Sequence, residues 1–89
     1  MKACRLGIIN CIFPAETFMA EVMARAQRLA HGPAAALAAI KRGVYLGAER
    51  SLREVLDYEQ RTQTELFLQP DAREGMRAFI EKRSPRFQS

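Results

Sequence analysis

The sequence predicts a mainly α protein, with one short N-terminal strand followed by about four helices. Apolar residues recur at three- and four-residue intervals over most of the chain, the spacing of helices with one buried face. Gly and Pro punctuate these stretches at Gly7, Pro14, Gly32, Pro33 and Pro70. One brief run, Ile8 to Phe13, breaks the helical spacing and is rich in β-branched residues.

Met1 to Leu6 reads as the last turn or two of a helix closed by Gly7, a residue suited to the left-handed conformation that ends helices. Ile8, Ile9, Asn10, Cys11, Ile12 and Phe13, bounded by Gly7 and Pro14, are expected to form a strand. A strand needs a neighbour for its N–H and C=O groups, and no second strand pattern follows. Residues 1–13 are therefore expected to be the end of a helix and a strand belonging to a core outside this chain. Residues 14–89 are expected to form a C-terminal helical region. Pro14 opens the first long helix, whose stripe is Phe18, Met19, Val22, Met23, Ala26, Leu29 and Ala30, with Glu21, Arg25 and Arg28 off it.

Gly32 and Pro33 stop that helix, and His31 in its last turn is suited to capping rather than catalysis. An alanine-rich helix follows from Pro33. Gly43 and Gly47 are expected to weaken its second half, with a kink or early end before Arg50. Ser51 with Glu54 forms a capping box ahead of Leu52, Val55, Leu56, Leu66 and Phe67. Glu59 and Gln63 interrupt that apolar face, and Glu59 is expected as a buried structural partner rather than a general base. Pro70 turns Gln69 away from helical torsions, so the helix finishes near Leu68. Asp71 with Glu74 repeats the capping arrangement, and the last helix sets Ala72, Met76, Phe79 and Ile80 along one side, ending before Pro85. The tail Arg86 to Ser89 is loose unless Phe87 docks.

With 89 residues, 48% of them apolar and 27% charged, the chain has the composition of one small folded domain at most. Cys4 and Cys11 have no spaced His or Cys to complete a zinc site and are expected as buried free thiols. No apolar run approaches the length of a membrane span, and the first ten residues lack a secretory signal, which implies a cytoplasmic protein without an anchor. Net charge is +4, which invites a polyanion as partner. Its distribution argues otherwise, since the basic residues fall singly or in pairs and several have an acid close by; Lys82, Arg83 and Arg86 are balanced by Glu81 alone.

Phosphate loops, H-E-x-x-H and G-x-S-x-G are all absent from the sequence. One histidine and no paired carboxylates on a common face leave no catalytic residues to name, no metal ligands and no cofactor. Nucleic-acid binding is disfavoured because Glu49, Glu54 and Asp57 stand where a helix-turn-helix would meet phosphates. An independent helical module for protein–protein association remains the alternative, because several amphipathic helices leave apolar surface to cover.

Nearly the whole chain resembles the C-terminal third of the enoyl-CoA hydratase/isomerase (crotonase) family. Ala3 to Asn10 resembles A-x-x-x-G-L-V-N, and Gly32-Pro33 through Lys41 resembles the family's G-P helix ending in Lys. Glu59 with Phe67 matches E-x(7)-F, and Asp71 to Phe87 resembles D-x-x-E-G-x-x-A-F-x-E-K-R-x-P-x-F. The resemblance implies the C-terminal helical trimerisation region of the crotonase fold, in a parent enzyme acting on coenzyme A thioesters. It implies a homo-oligomer, a trimer or dimer of trimers, whose closing helices cover the acyl-CoA site. The oxyanion-hole N–H groups and acidic residues of the family lie upstream of the matched region. Two contacts carry over by resemblance: Phe79 and Lys82 match positions that reach the adenine and phosphate end of CoA held by a neighbouring subunit. An aromatic face suits adenine, and an ammonium suits phosphate.

Overall fold

A computed structural model of the chain describes residues 1–88; Ser89 lies outside the described residues. Five helices follow one another: α1 Lys2–Arg5, α2 Phe18–Ala30, α3 Ala34–Glu49, α4 Leu52–Phe67 and α5 Pro70–Glu81. Gly7 ends α1 as its type suggests. It takes φ 81°, while the Ile8 N–H donates to Ala3 O at 2.9 Å and the Gly7 N–H to Cys4 O at 3.1 Å. These two bonds satisfy carbonyls that the helix end would leave open.

The expected strand at Ile8–Phe13 does not form, and the described residues contain no strand. The run is bend and open coil instead. Ile8 and Ile9 turn their N–H groups back onto Ala3 O, at 2.9 and 3.4 Å, and no second extended segment supplies a ladder. Nor are the thiols enclosed: Cys4 and Cys11 are free and half-buried, with Cys4 Sγ 3.7 Å from Asn10 O. Too little chain gathers around this end to bury them.

Helix α2 starts one turn later than Pro14 suggests. The Pro14 carbonyl is taken by the Thr17 N–H at 3.1 Å, closing a tight turn, and the helix proper begins at Phe18. Its apolar stripe has the expected spacing, but Phe18, Met19, Met23 and Leu29 are all exposed. Phe13 does lie against it, with the Arg25 guanidinium 5.2 Å from the ring centroid. His31 caps the C-terminal end as expected, its Nδ1 lying 2.7 Å from Gln27 O.

Helices α3 and α4 form an antiparallel hairpin, the arrangement that a connection of only Arg50 and Ser51 enforces. Ser51 caps α4: its Oγ accepts from the Glu54 N–H at 3.2 Å and its hydroxyl donates to the Glu54 carboxylate at 3.1 Å. The expected kink at Gly43 and Gly47 is absent, since α3 runs unbroken to Glu49. Gly43 instead serves packing. A side-chain carbon there would stand 3.3 Å from Tyr58 Cε1, and the Tyr58 hydroxyl donates to Ala39 O at 2.8 Å. Tyr58 thus packs against α3 at Gly43, the one of its two glycines that has a neighbour within 4 Å. Glu59, expected to be a buried partner, is exposed, so its carboxylate keeps its hydration.

Helix α5 begins at Pro70, whose fixed φ and missing N–H suit the first helical position, with Gln69 extended before it at φ −78°, ψ 152°. The start at Pro70 places Asp71 inside the first turn. The expected Asp71–Glu74 capping box is replaced by bonds from both carboxylates to the chain that returns after α5.

The whole is an open slab of 43 × 38 × 19 Å with a radius of gyration of 16.7 Å, against about 12 Å for a compact domain of this length. Exposed area tells the same story. The chain exposes 7,910 Å², whereas a folded monomer of this mass exposes about 5,300 Å². Among the described residues only Ala78 is fully buried, at 1% exposure.

Candidate ligand-binding site

The C-terminal end of α5 carries both residues singled out by resemblance. Phe79 is 84% exposed and its neighbour Ile80 78% exposed, so the side of α5 that the sequence marks as apolar is not covered within this chain. The inward face shares only Ala72 with that side and is completed by Asp71, Glu74, Gly75 and Ala78. Small residues on that face let α4 and the returning chain approach, which leaves the larger ones outside.

Lys82 stands immediately after α5, exposed, with φ 55° and ψ 46°. Among the described residues it is the only one other than glycine with positive φ. The Lys82 N–H donates to Phe79 O at 3.3 Å and the Arg83 N–H to Ala78 O at 3.0 Å, the pattern Gly7 uses at the end of α1. For a residue with a Cβ this conformation costs about 1–2 kcal/mol. Main-chain bonding links Lys82 to Phe79, and the two exposed groups share the last turn of the helix.

Beyond Lys82 the chain folds back along α5. Arg83 makes a two-pronged bond to Glu74, Nη1 to Oε2 at 2.7 Å and Nη2 to Oε1 at 3.1 Å, while its Nε donates to Glu81 at 2.6 Å. The Arg86 N–H donates to Glu74 Oε2 at 2.7 Å and the Gln88 N–H to Asp71 Oδ1 at 2.9 Å. Between these two main-chain anchors Phe87 docks over Gly75, with its ring edge 3.8 Å from where a side-chain carbon would stand. The tail is therefore seated through Gln88. Its basic cluster is also better balanced than the sequence suggests, because Glu74 reaches it from nine residues away.

The Arg83 guanidinium first, and then the Arg86 N–H, hold the Glu74 carboxyl at about 2, well below its ordinary 4.5. The pair correspondingly raises Arg83 above its already high value. Because the folded value is depressed, the stabilisation is complete above pH 4.5 and fades as acid takes the carboxylate toward pH 2. In an NMR titration the Arg86 amide is expected to shift with a midpoint near pH 2; a midpoint near pH 4.5 would mean an open tail.

A cavity of about 520 Å³ lies at the other end of α5, between the start of α3, the end of α4 and the returning tail. Pro33, Ala36, Leu66, Phe67, Ala72 and Phe87 give it apolar walls; Phe79 and Lys82 do not line it. Glu74 and Arg83, which hold each other, stand outside its lining. Among the described residues no group of three or more His, Cys, Asp or Glu side chains is placed to hold a metal ion, and no helix is long and apolar enough to cross a membrane. The Glu74 cluster escapes sequence reading because Glu74 three residues after Asp71 fits a capping pattern, whereas a partner at Arg83 has no local signature.

Comparison with known proteins agrees with this geometry. The family model described as enoyl-CoA hydratase/isomerase matches residues 1–89. A probable enoyl-CoA hydratase of Rhodobacter capsulatus is 43% identical over 86 residues, covering 97% of this chain and 34% of that protein. A probable mitochondrial enoyl-CoA hydratase of Dictyostelium discoideum is 31% identical over 85 residues, covering 96% of this chain and 31% of that protein. An enoyl-CoA hydratase structure from Geobacillus kaustophilus superimposes with a TM-score of 0.87 at 42% identity, over 98% of this chain and 34% of that one. A probable enoyl-CoA hydratase/isomerase from Mycobacterium abscessus does so with a TM-score of 0.82 at 28% identity, with the same shares. The chain spans about a third of the length of these relatives. By the match along its whole length and by its helical architecture, the chain belongs to the enoyl-CoA hydratase/isomerase family.

Proposed function

We propose that this chain is the C-terminal helical and oligomerisation portion of an enoyl-CoA hydratase-like enzyme acting on coenzyme A thioesters, and that it is not catalytic alone. Residues 1–13 belong with a core outside this chain, and residues 14–89 form the helical region that packs on that core and on neighbouring subunits of a cytoplasmic homo-oligomer, a trimer or dimer of trimers. The exposed area carries this reading. The roughly 2,600 Å² above that of an ordinary monomer is well over the ~800 Å² per partner of a standard protein interface. Phe79 and Lys82 contact the adenine and phosphate end of CoA held by a neighbouring subunit. The exposure of both supports this, as does a lysine held where glycine would be less strained, since such strain gathers at ligand clamps.

Size-exclusion chromatography with light scattering, alongside thermal unfolding with and without acyl-CoA, tests the proposal. For the isolated chain a polydisperse species with a broad transition is expected, as for a closing part without its core; in the enzyme that contains the core, acyl-CoA should raise the melting temperature and Lys82→Ala should weaken CoA binding about tenfold or more. A defined oligomer indifferent to CoA would favour the autonomous association module instead.

A further inference from the structure

We propose that Glu74 is a positioning residue for the end of α5. Its carboxylate gathers the Arg83 guanidinium and the Arg86 N–H, fixing the left-handed turn from which Lys82 leaves the helix and the seat of Phe87 on Gly75. For its ligand consequence the inference rests on the proposed contact of Lys82 with CoA; for the turn itself it rests on geometry alone.

The two helix ends that use the same pair of main-chain bonds differ in one respect. At Gly7 the left-handed residue has no Cβ, and nothing lies within 4 Å of where one would stand. At Lys82 the residue has a full side chain, so the conformation persists only if its surroundings over-determine it. What surrounds it is Arg83, tied at Nε to Glu81 and at both Nη atoms to Glu74. Glu81 belongs to the same helical end. Glu74, two turns earlier on α5, is the anchor outside that end.

Glu74 also has the geometry of a fixed point. Its side chain keeps 19% of its exposure against 35% for Arg83, and it accepts three hydrogen bonds from two residues of the returning chain. Because one of the three bonds comes from a main-chain N–H, Glu74 holds backbone path and not only side-chain placement. The charged groups around it are Arg83, which it binds, and Arg77 on its own helix, both favouring the ionised carboxylate. The Asp71 bond to the Gln88 N–H continues the same seam by one further turn of α5.

The test uses the protein in its native assembly, with Glu74→Ala and the near-isosteric Glu74→Gln, so that one remains informative if the other misassembles. Lys82→Gly accompanies them, since it keeps the turn without strain and removes the ammonium. Two readouts are taken: hydrogen exchange of the 84–88 segment by mass spectrometry, and KM and kcat for an acyl-CoA and for a short thioester lacking the nucleotide. Exchange in 84–88 is expected to rise about tenfold or more in Glu74→Ala and less in Glu74→Gln, which retains one neutral acceptor, with Lys82→Gly unchanged. KM for the acyl-CoA should rise in both Glu74 variants, with kcat and the short thioester unaffected. Unchanged exchange in both Glu74 variants would overturn the positioning role. Raised exchange with KM unchanged in the Glu74 variants and in Lys82→Gly would instead overturn the CoA contact, and with it the ligand half of the inference.

Discussion

Replacing Ala78 with leucine is expected to destabilise the protein by about 1–3 kcal/mol, the usual effect of forcing extra carbons into a filled site. Ala78 is 1% exposed, and its carbonyl accepts the Arg83 N–H at 3.0 Å. It stands on the inward face of α5 with Asp71, Glu74 and Gly75, so both the helix packing and the folded-back tail depend on its being small. A leucine there must lift α5 from α4 or displace the chain after Lys82. Leucine ranks only slightly below alanine as a helix former, so intrinsic propensity accounts for little of the loss. Thermal unfolding, read together with exchange in the 84–88 segment, is the measurement. Ala78→Leu with an unaltered melting temperature would mean that this face is not packed in solution.

The second large effect is expected at Gly43, with Gly47 as its internal control. Gly43→Val should cost about 2 kcal/mol, because its first carbon already meets Tyr58 Cε1 at 3.3 Å before the two branches are added. The ring cannot swing away without giving up the hydroxyl bond to Ala39 O. At Gly47 nothing lies within 4 Å, so Gly47→Ala removes an unfavourable helical glycine at no steric cost and should stabilise by about 1 kcal/mol. Opposite signs for two glycines on one helix are read directly by urea or thermal unfolding. If Gly43→Val proved as benign as Gly47→Ala, the seating of Tyr58 across α3 would be wrong.

Several features were open to sequence reading because their causes lie within a few residues. Gly7 ends α1 through its own backbone freedom, Ser51 caps α4 through Glu54 three residues on, and Pro70 ends α4. The apolar spacing that places α2 to α5 is local in the same sense. The motif resemblance is also a property of the string, and it supplies the family, while Phe79 and Lys82 stay proposed contacts.

Tertiary structure decided what depends on groups distant in the chain. Ile8–Phe13 has strand composition but forms none, because extended backbone becomes a strand only through a partner's N–H and C=O groups. Gly43 looks like a helix breaker and is instead the seat for Tyr58, fifteen residues on and visible only once α3 and α4 lie side by side. Glu74 looks like half of a capping box. In the fold it meets Arg83 nine residues later and Arg86 twelve residues later, because α5 ends in a left-handed turn that sends the tail back along its own face. The sequence by itself determined the four long helices, the cap at Ser51 and the family, since those follow from spacing and motifs along one chain. Only the fold determined which carboxylate holds the tail, because a hydrogen bond acts over about 3 Å and sequence separation does not report that distance.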